Sequence, residues 1–319
     1  MRIGPEELHR RAERLKRRLD ACDLCPRRCG VDRLAGELGY CGVGGEALLA
    51  AALPHFGEEP PISGSRGAGT VFLGGCNLRC VYCQNRQISR RQIPLRVCSA
   101  PALAEELLCL ARTGCHNIEF VTPSHVVPQI LEALARASAG GLDLPIVYNT
   151  GGYDAPDVLR ELDGVVDIYL PDLKYAIIES AGELSGAPDY WDVARQAVRE
   201  MLRQVGALEC TTDGIGRRGV IVRHLVLPND LAGSEAVLRF LADQDPRPRL
   251  ALMAQFYPVP ECDHPLLQRP VFRGEYERVC RLFESLHLEG WVQEMEAEAT
   301  YRPDFAKSNP FPQSPIPED

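Results

Sequence analysis

Residues 70–83 have the sequence Thr70-Val-Phe-Leu-Gly-Gly-Cys-Asn-Leu-Arg-Cys-Val-Tyr-Cys83. The apolar run at its start predicts a buried strand, and three cysteines follow that strand with spacings of three residues and then two. Thiolates are soft ligands that suit zinc or an iron–sulfur cluster. Three cysteines in one loop can hold three irons of a cubane and leave the fourth iron open, which predicts a catalytic centre.

Two blander interpretations of Cys76, Cys80 and Cys83 are buried small side chains or a structural zinc site. Gly74-Gly75 before the loop and Gln84-Asn85 after it argue against a packed core. No fourth Cys or His follows within the usual short reach of a zinc motif. The spacing therefore favours the cluster.

Strand and helix signals alternate through the rest of the chain. Besides the first strand, the predicted strands are 117–121, 145–149, 165–170, 220–227 and 250–256, with 291–293 as an additional edge strand. The predicted helices are 102–113, 127–138, 154–162, 189–206, 238–242 and 275–288. Alternation repeated about six times predicts an α/β fold with a parallel sheet and helices outside it. Such sheets carry their chemistry at the carboxyl ends of the strands.

Composition limits the possible partners. The chain has 319 residues, 45% of them hydrophobic, with 35 Lys and Arg against 44 Asp and Glu, which gives a formal net charge of −9. The apolar share suffices for a sizeable core. Binding to phosphates favours a basic surface, so nucleic acid is a disfavoured partner, although a local basic patch is not excluded.

The thirteen cysteines indicate metal binding. The sequence has no signal peptide at its N-terminus and no apolar run of the roughly 18 residues that cross a bilayer, so we expect a cytoplasmic protein with no membrane partner. Thiols stay reduced in that compartment, and clustered cysteines there are metal ligands more often than disulfides.

A second set of four cysteines precedes the first strand: Cys22, Cys25, Cys29 and Cys41. Their spacing suits a tetrahedral zinc or a fully ligated auxiliary iron–sulfur cluster, and it does not decide between the two. The segment has too few apolar residues to fold without such a metal centre. An amphipathic helix is predicted before it, over residues 5–20, with the apolar stripe Leu8, Ala12, Leu15 and Leu19.

We divide the chain at a connector rich in proline and glycine. Residues 1–69 comprise the helix, the four-cysteine segment and this linker, and residues 70–300 comprise the alternating strands and helices. Five prolines between residues 303 and 317 predict an extended or disordered tail over residues 301–319.

Residues 74–85 resemble the signature of the radical SAM superfamily, CxxxCxxC with an aromatic residue, here Tyr82, before the last cysteine. Within that superfamily the chain is similar to the pyruvate formate-lyase activating enzymes and their uncharacterised relatives. Three further segments carry this resemblance: Tyr148-Asn-Thr-Gly-Gly-Tyr153, Ile168-Tyr-Leu-Pro-Asp-Leu-Lys174 and Val220-Ile-Val-Arg-His-Leu-Val-Leu-Pro228. The resemblance covers most of the chain after about residue 70.

The resemblance implies a partial (β/α)6 radical SAM barrel, with a [4Fe–4S] cluster on Cys76, Cys80 and Cys83 and S-adenosylmethionine on the open iron. It implies an oxidoreductase that cleaves S-adenosylmethionine reductively to a 5′-deoxyadenosyl radical, which abstracts hydrogen from a substrate. A low-potential flavodoxin or ferredoxin would donate the electron. The substrate could be a backbone glycine of a glycyl-radical enzyme. Alternative substrates are a peptide, a small metabolite or RNA. An alternative function is a non-catalytic metal-stabilised scaffold for a protein partner.

Polar residues stand where the predicted strands end, as a site at that edge requires. The candidate cofactor-binding residues are Tyr82, Asn85, Ser124, Asn149, Asp172, Lys174, Arg223 and Gln255. By resemblance, Asp172 and Lys174 would hold the methionine end of the cofactor. An arginine within an apolar strand needs an anionic partner, so Arg223 predicts a ligand carboxylate or a buried Asp beside it. His224 would point to the other face and serve structure.

One segment departs from the family pattern. Most members have Gly-Gly-Glu after the second strand, and this chain has Thr122-Pro-Ser-His125 instead. No Glu is available there to contact the methionine amine, so Ser124 or backbone carbonyls would have to replace it.

Overall fold

The computed structural model describes residues 1–295, 302–307 and 309–311. Among these residues, ten strands form one sheet in an α/β arrangement. They are Ala47–His55 (β1), Ala68–Leu73 (β2), Arg96–Cys98 (β3), Ile118–Val121 (β4), Ile146–Thr150 (β5), Ile168–Pro171 (β6), Glu209–Cys210 (β7), Gly216–Leu225 (β8), Arg249–Met253 (β9) and Gly290–Val292 (β10).

The sheet has the order β10-β9-β8-β6-β5-β4-β2-β1-β3, with β7 pairing beside β8. Pairing is parallel from β2 across to β10, and β1 and β3 add antiparallel strands at the other end. The six predicted strands and the edge strand are all present, with ends that differ by a few residues. Seven parallel strands therefore bring their carboxyl ends to one edge, as the alternating pattern predicts.

Ten α-helices connect or flank these strands in the described residues. They are Pro5–Lys16 (α1), Pro60–Ser63 (α2), Arg86–Ser89 (α3), Ala100–Arg112 (α4), Val127–Ala139 (α5), Pro156–Arg160 (α6), Ile178–Ser185 (α7), Tyr190–Val205 (α8), Ser234–Ala242 (α9) and Arg273–Ser285 (α10). The predicted stripe of α1 and the residues just after it is buried and packs chiefly against α5.

The two faces of the sheet differ in chemistry because side chains alternate along each strand. One face packs under the helices and includes Val71, Phe120, Tyr148, Val220 and Leu250. The other face holds a small apolar cluster around Ile62 of α2, formed by Ala68, Val147, Ile168, Leu170, Ile221 and Ala251. Toward the carboxyl ends, the same face carries polar side chains instead: Thr70, Glu119, Asn149, Asp172 and Arg223. We call this second face the inner face of the sheet. It is apolar near the amino ends of the strands and polar near their carboxyl ends.

The residues between the four-cysteine segment and the predicted connector form a strand that the sequence analysis did not identify. Residues Ala47–His55 pair antiparallel with β2, and their run of alanines and leucines lacks the β-branched residues that signal a strand. The division of the chain at residue 70 stays a prediction. The pairing shows that residues on both sides of that point contribute to one sheet.

The predicted helices 154–162 and 189–206 each begin with an aspartate, a residue type that often caps a helix, but neither aspartate side chain caps its helix in the structure. Asp154 does not cap α6, whose N-cap is Ala155; its buried carboxylate accepts hydrogen bonds from Tyr148 Oη at 3.1 Å and from Thr150 Oγ1 at 2.6 Å. Asp189 is the N-cap residue of α8, but its carboxylate accepts from Tyr153 Oη rather than from the helix backbone. Tertiary hydrogen bonds compete with local capping at both positions.

The extended or disordered tail over residues 301–319 stays a prediction, and its described residues contact β2 and α3. Phe305 is buried, and its ring lies 5.2 Å from that of Phe72, while Gln87 donates to Asp304 at 3.0 Å. Phe311 also contacts Phe72. Aromatic side chains between the prolines supply apolar area that the count of prolines did not register. Residues 312–319 lie outside the described residues.

Within the described residues, every helix is too short or too polar to cross a bilayer.

Candidate functional site

The three-cysteine loop lies at the carboxyl edge of the sheet, directly after β2. Gly75 begins the loop with a φ of +81°, and a Cβ at this position would lie 2.5 Å from Val43 and 2.6 Å from the carbonyl oxygen of Cys41. Only glycine fits there without displacement. The ring of His125 hydrogen-bonds the Gly74 carbonyl at 2.9 Å and fixes the strand end from behind.

Each of the three sulfurs has a hydrogen-bonding partner. The backbone N–H of Leu78 donates to Cys76 Sγ at 3.3 Å, and Ser185 Oγ donates to Cys80 Sγ at 3.0 Å. Cys83 Sγ lies 3.3 Å from Ser89 Oγ. Donors placed on sulfur stabilise the thiolate form, which is the form that ligates metals.

The electrostatics of the loop also suit a bound cation. Burial, followed by the charges of the neighbouring cysteines, raises the pKa of the Cys76 thiol well above its ordinary value. Burial and the charge of Cys80 raise the pKa of Cys83 in the same direction. Thiolates crowded in a partly buried loop are costly without a positive group between them. The donors and the burial together fit an iron–sulfur cluster on this loop.

A cavity of about 440 Å³ opens beside the cysteines, on the polar part of the inner face. Its walls combine the three cysteines with most of the strand-end residues predicted from sequence: Tyr82, Asn85, Asn149, Asp172, Lys174, Arg223 and Gln255. A cavity of this size, with a few converging polar groups, is typical of a small-molecule site.

Asp172 and Lys174 form an ion pair inside this cavity rather than a surface turn. Lys174 Nζ lies 2.5 Å from Asp172 Oδ2, and their side chains are 20% and 22% exposed. Burial lowers the pKa of Lys174, but the negative charges of Asp172 and Cys80 raise it more, so Lys174 stays charged. The pair offers one cationic donor and one anionic acceptor within a short distance of the cysteine loop.

Arg223 finds its anionic partners in the chain, and they are glutamates rather than an aspartate. Its Nε donates to Glu59 Oε1 at 2.7 Å, and its Nη2 donates to Glu59 Oε2 at 2.6 Å and also to Glu58. The three side chains are 14% exposed or less. Burial raises the pKa of Glu58, but Arg223 and His55 lower it more, so the net shift is downward. His224, as expected, faces away and is held by Leu173 and Ser234.

Glu119 lies beneath this ion pair in β4 and is fully buried. Its carboxyl group accepts from Thr70 Oγ1 and from Asn149 Nδ2, both at 2.8 Å. Burial and the charge of Glu58 raise the pKa of Glu119 to about 8. Near neutral pH this side chain is therefore mainly a neutral acid, so the inner face avoids a third carboxylate charge beside Glu58 and Glu59.

We expect Glu119→Gln to remove a pH dependence of the free energy of unfolding. The folded state holds a proton on Glu119 that the unfolded chain releases near pH 4.5, so this group makes the wild type less stable as pH rises from about 5 to 8. The glutamine variant lacks that loss, and its advantage above pH 8 should be on the order of a few kcal/mol. Urea unfolding of the wild type and of Glu119→Gln between pH 5 and 9 measures this difference in the free energy of unfolding.

The exposed Glu105 on α4 provides the matched control, since Glu105→Gln should follow the wild-type profile. Parallel profiles for Glu119→Gln and the wild type would show that Glu119 ionises normally.

The remaining predicted cofactor-binding residues divide between the cavity wall and the layer behind it. Tyr82 is buried, with its ring 5.9 Å from that of Phe256. Gln255 bonds Gln84 across the cavity mouth at 3.2 Å. Ser124 lies behind the wall, where its hydroxyl is 3.0 Å from Thr150 Oγ1, so it would act on a ligand only through Thr150. Their roles in binding S-adenosylmethionine remain predictions.

Thr122 is the first residue of the segment that departs from the family pattern, and it lines the cavity. Its φ of +60° is uncommon for a β-branched residue. Strain of this kind often marks a functional site, and no sequence signal indicated it.

The cavity residues that were not predicted from sequence include His55, Glu58, Glu59 and Gln293. Glu58 and Glu59 belong to the predicted connector, where charged residues are typical of a solvent-exposed loop. The unpaired Arg223 was the one signal that a carboxylate had to lie nearby. Glu119, just below the cavity, had a sequence signal that was overlooked. A carboxyl group inside the apolar run of residues 117–121 is expected to be buried, and a buried carboxyl group needs a polar partner.

The N-terminal cysteines gather on the other side of the loop. Cys22 and Cys25 are buried, Cys41 is half-buried, and Cys29 is exposed. Burial, followed by the charges of Cys41, Cys22 and Cys29, raises the pKa of Cys25 to about 12.

Comparison with known proteins finds similarity to a curated protein and to solved structures. No protein-family model matches the chain. The uncharacterized protein MJ0674 of Methanocaldococcus jannaschii is 28% identical over 294 residues, which cover 90% of this chain and 81% of that protein. The crystal structure of a radical SAM methyltransferase from Sphaerobacter thermophilus superposes with a TM-score of 0.49 and 15% identity, over 70% of this chain and 66% of that one.

Proposed function

We propose that this protein is a radical SAM enzyme. The single observation that carries the proposal is the CxxxCxxC loop at the carboxyl edge of a parallel sheet, with a hydrogen-bonding partner on each sulfur and a polar cavity of about 440 Å³ beside it. A [4Fe–4S] cluster on Cys76, Cys80 and Cys83 would supply the electron that cleaves S-adenosylmethionine to methionine and a 5′-deoxyadenosyl radical.

The side chains of the cavity would bind and orient the sulfonium substrate. Lys174 would donate to the methionine carboxylate, and Asp172 would accept from the methionine ammonium, by charge-assisted hydrogen bonds. The hydroxyl of Tyr190 fixes both residues, because it accepts from the backbone N–H of Lys174 and lies 2.9 Å from the carbonyl of Asp172. A rigid pair of this kind reduces the entropy cost of orienting the ligand.

The apolar wall behind the loop would exclude water from the reaction. Tyr82 packs against Tyr175 and Phe256, and the described tail places Phe311 at the cavity. A site closed by aromatic side chains protects a reactive species from solvent.

The electron donor in the cell would be a low-potential flavodoxin or ferredoxin. The compartment would be the cytoplasm, where thiols stay reduced and are available as metal ligands. The proposed hydrogen donor is a substrate outside this chain. A backbone glycine of a glycyl-radical enzyme is the candidate that the sequence resemblance provides, and a peptide or small metabolite is the alternative.

Anaerobic reconstitution tests the proposal. The protein is loaded with iron and sulfide, reduced with dithionite and incubated with S-adenosylmethionine, and the nucleoside products are separated by chromatography. We expect 5′-deoxyadenosine and methionine in equal amounts, and neither product without dithionite. Release of S-adenosylhomocysteine would instead indicate methyl transfer, and an intact cluster with no cleavage would favour a metal-stabilised scaffold.

A further inference from the structure

Backbone hydrogen bonds hold together the segment that contains Cys22, Cys25, Cys29 and Cys41. Cys22 exchanges backbone hydrogen bonds with Gly30 and Val31, which directly follow Cys29. The N–H of Tyr40 donates to Cys29 Sγ at 3.3 Å and brings the residue before Cys41 against Cys29. The backbone thus draws the four cysteines together although nineteen positions separate the first from the last.

Polar groups approach every sulfur of this set. The backbone N–H groups of Arg27 and Val43 favour the charged forms of Cys25 and Cys41. Cys29 accepts from Tyr40, and Cys22 accepts from Arg33 Nη1 at 3.6 Å. In Cys25 and Cys41 the donor is two residues after the cysteine, the same relation that Leu78 has to Cys76 in the first loop. Donors that point at cysteine sulfurs stabilise the thiolate form, which is the form that binds a metal centre.

Arg33 provides an independent observation. Its side chain is 1% exposed, and it donates to the carbonyls of Gly44 and His125 as well as to Cys22. Among the described residues, no carboxylate forms an ion pair with it. A buried guanidinium without an anion is very costly, so a negative group must lie beside it. Four thiolates around a metal centre carry net negative charge, and Cys22 places that charge next to Arg33.

The arrangement favours a cluster over a single zinc ion. Zinc draws its sulfurs to about 2.3 Å, and the ligands of a structural site therefore stand close around one point. In the part of the chain that the structure describes, neither these four cysteines nor the three of the first loop are grouped so that they could hold a single metal ion. An iron–sulfur cluster spreads its ligands over several irons and accepts wider spacing.

We propose that Cys22, Cys25, Cys29 and Cys41 bind a second iron–sulfur cluster whose negative charge is compensated by the buried Arg33. The site adjoins the first loop, because Cys41 lines a cavity of about 540 Å³ together with Cys76 and Cys80. Its four ligands are all protein sulfurs, so it has no open iron. The proposal is independent of S-adenosylmethionine cleavage and holds or fails separately from it.

The triple variant Cys76→Ala, Cys80→Ala, Cys83→Ala isolates the second site. After anaerobic reconstitution, we expect this full-length protein to keep about two to four irons with matching sulfide per chain. The further change Cys29→Ala, at an exposed position, should then remove most of that iron. Adding Cys109→Ala in its place, at an exposed cysteine of α4, should leave it. Zinc in the triple variant with no iron, or no metal at all, would overturn the proposal.

Arg33 is tested by the reduction potential of the second cluster in the same triple background. Arg33→Met removes the positive charge, so we expect the potential to shift to more negative values, because reduction adds negative charge. Arg33→Lys keeps the charge and should shift it much less. Equal potentials in all three proteins would refute the compensating role. If Arg33→Met fails to fold, the Lys variant and the metal analysis still decide the matter.

Discussion

Cys80→Ala is expected to lower the rate of S-adenosylmethionine cleavage on the order of a thousand-fold or more, as removal of an essential catalytic group does. Cys80 supplies one of three sulfurs, and the two that remain cannot fix a cluster with one free iron. The fold should survive, because Cys80 is only half-buried in a loop. Its partner Ser185 keeps a hydrogen bond to Tyr175 at 2.8 Å.

The measurement is 5′-deoxyadenosine formed per chain under dithionite, together with the urea midpoint of the metal-free protein. Cys109→Ala is the matched control, since it removes an exposed cysteine from α4 and should cleave at the wild-type rate. Full cleavage by Cys80→Ala would contradict the proposed site. Loss of a soluble fold in this variant alone would instead identify a structural metal.

The elements that sequence reasoning predicted are those fixed by local chemistry. Parallel strands buried on both faces give continuous apolar runs such as residues 70–74, and strand ends reveal themselves by polar residues such as Asp172. The CxxxCxxC spacing is local as well. The sequence therefore indicated the three cysteines and the strand-end residues that line one cavity in the structure.

The parts that escaped prediction depend on contacts between distant residues. Glu59 meets Arg223 across 164 positions, and no local pattern marks that pairing. Strand β1 is stabilised by its neighbours rather than by its own propensity, because alanine and leucine favour helices. Asp154 illustrates the same competition, since its local capping signal gave way to Thr150 and Tyr148.

Arg223→Met is expected to destabilise the fold by about 3–5 kcal/mol near neutral pH, the usual cost of removing one partner from a buried ion pair. Methionine fills similar volume, but Glu58 and Glu59 then remain buried side by side without a counter-charge. The pKa of Glu58, which Arg223 lowers in the wild type, should then rise. The folded variant then binds more protons than the unfolded chain, so its deficit should shrink as pH falls toward 4.5.

Urea unfolding at pH 5 and pH 8 measures this effect, and two further variants interpret it. Arg239→Met breaks an exposed pair with Glu235 and should change stability by less than about 1 kcal/mol. Adding Glu58→Gln and Glu59→Gln to Arg223→Met removes the stranded charges and should restore much of the loss at pH 8. If Arg223→Met is no less stable than Arg239→Met at pH 8, the two glutamates are not held as charges at the cavity floor. The ion pairs of these glutamates with Arg223 would then be exposed to solvent and contribute little to stability.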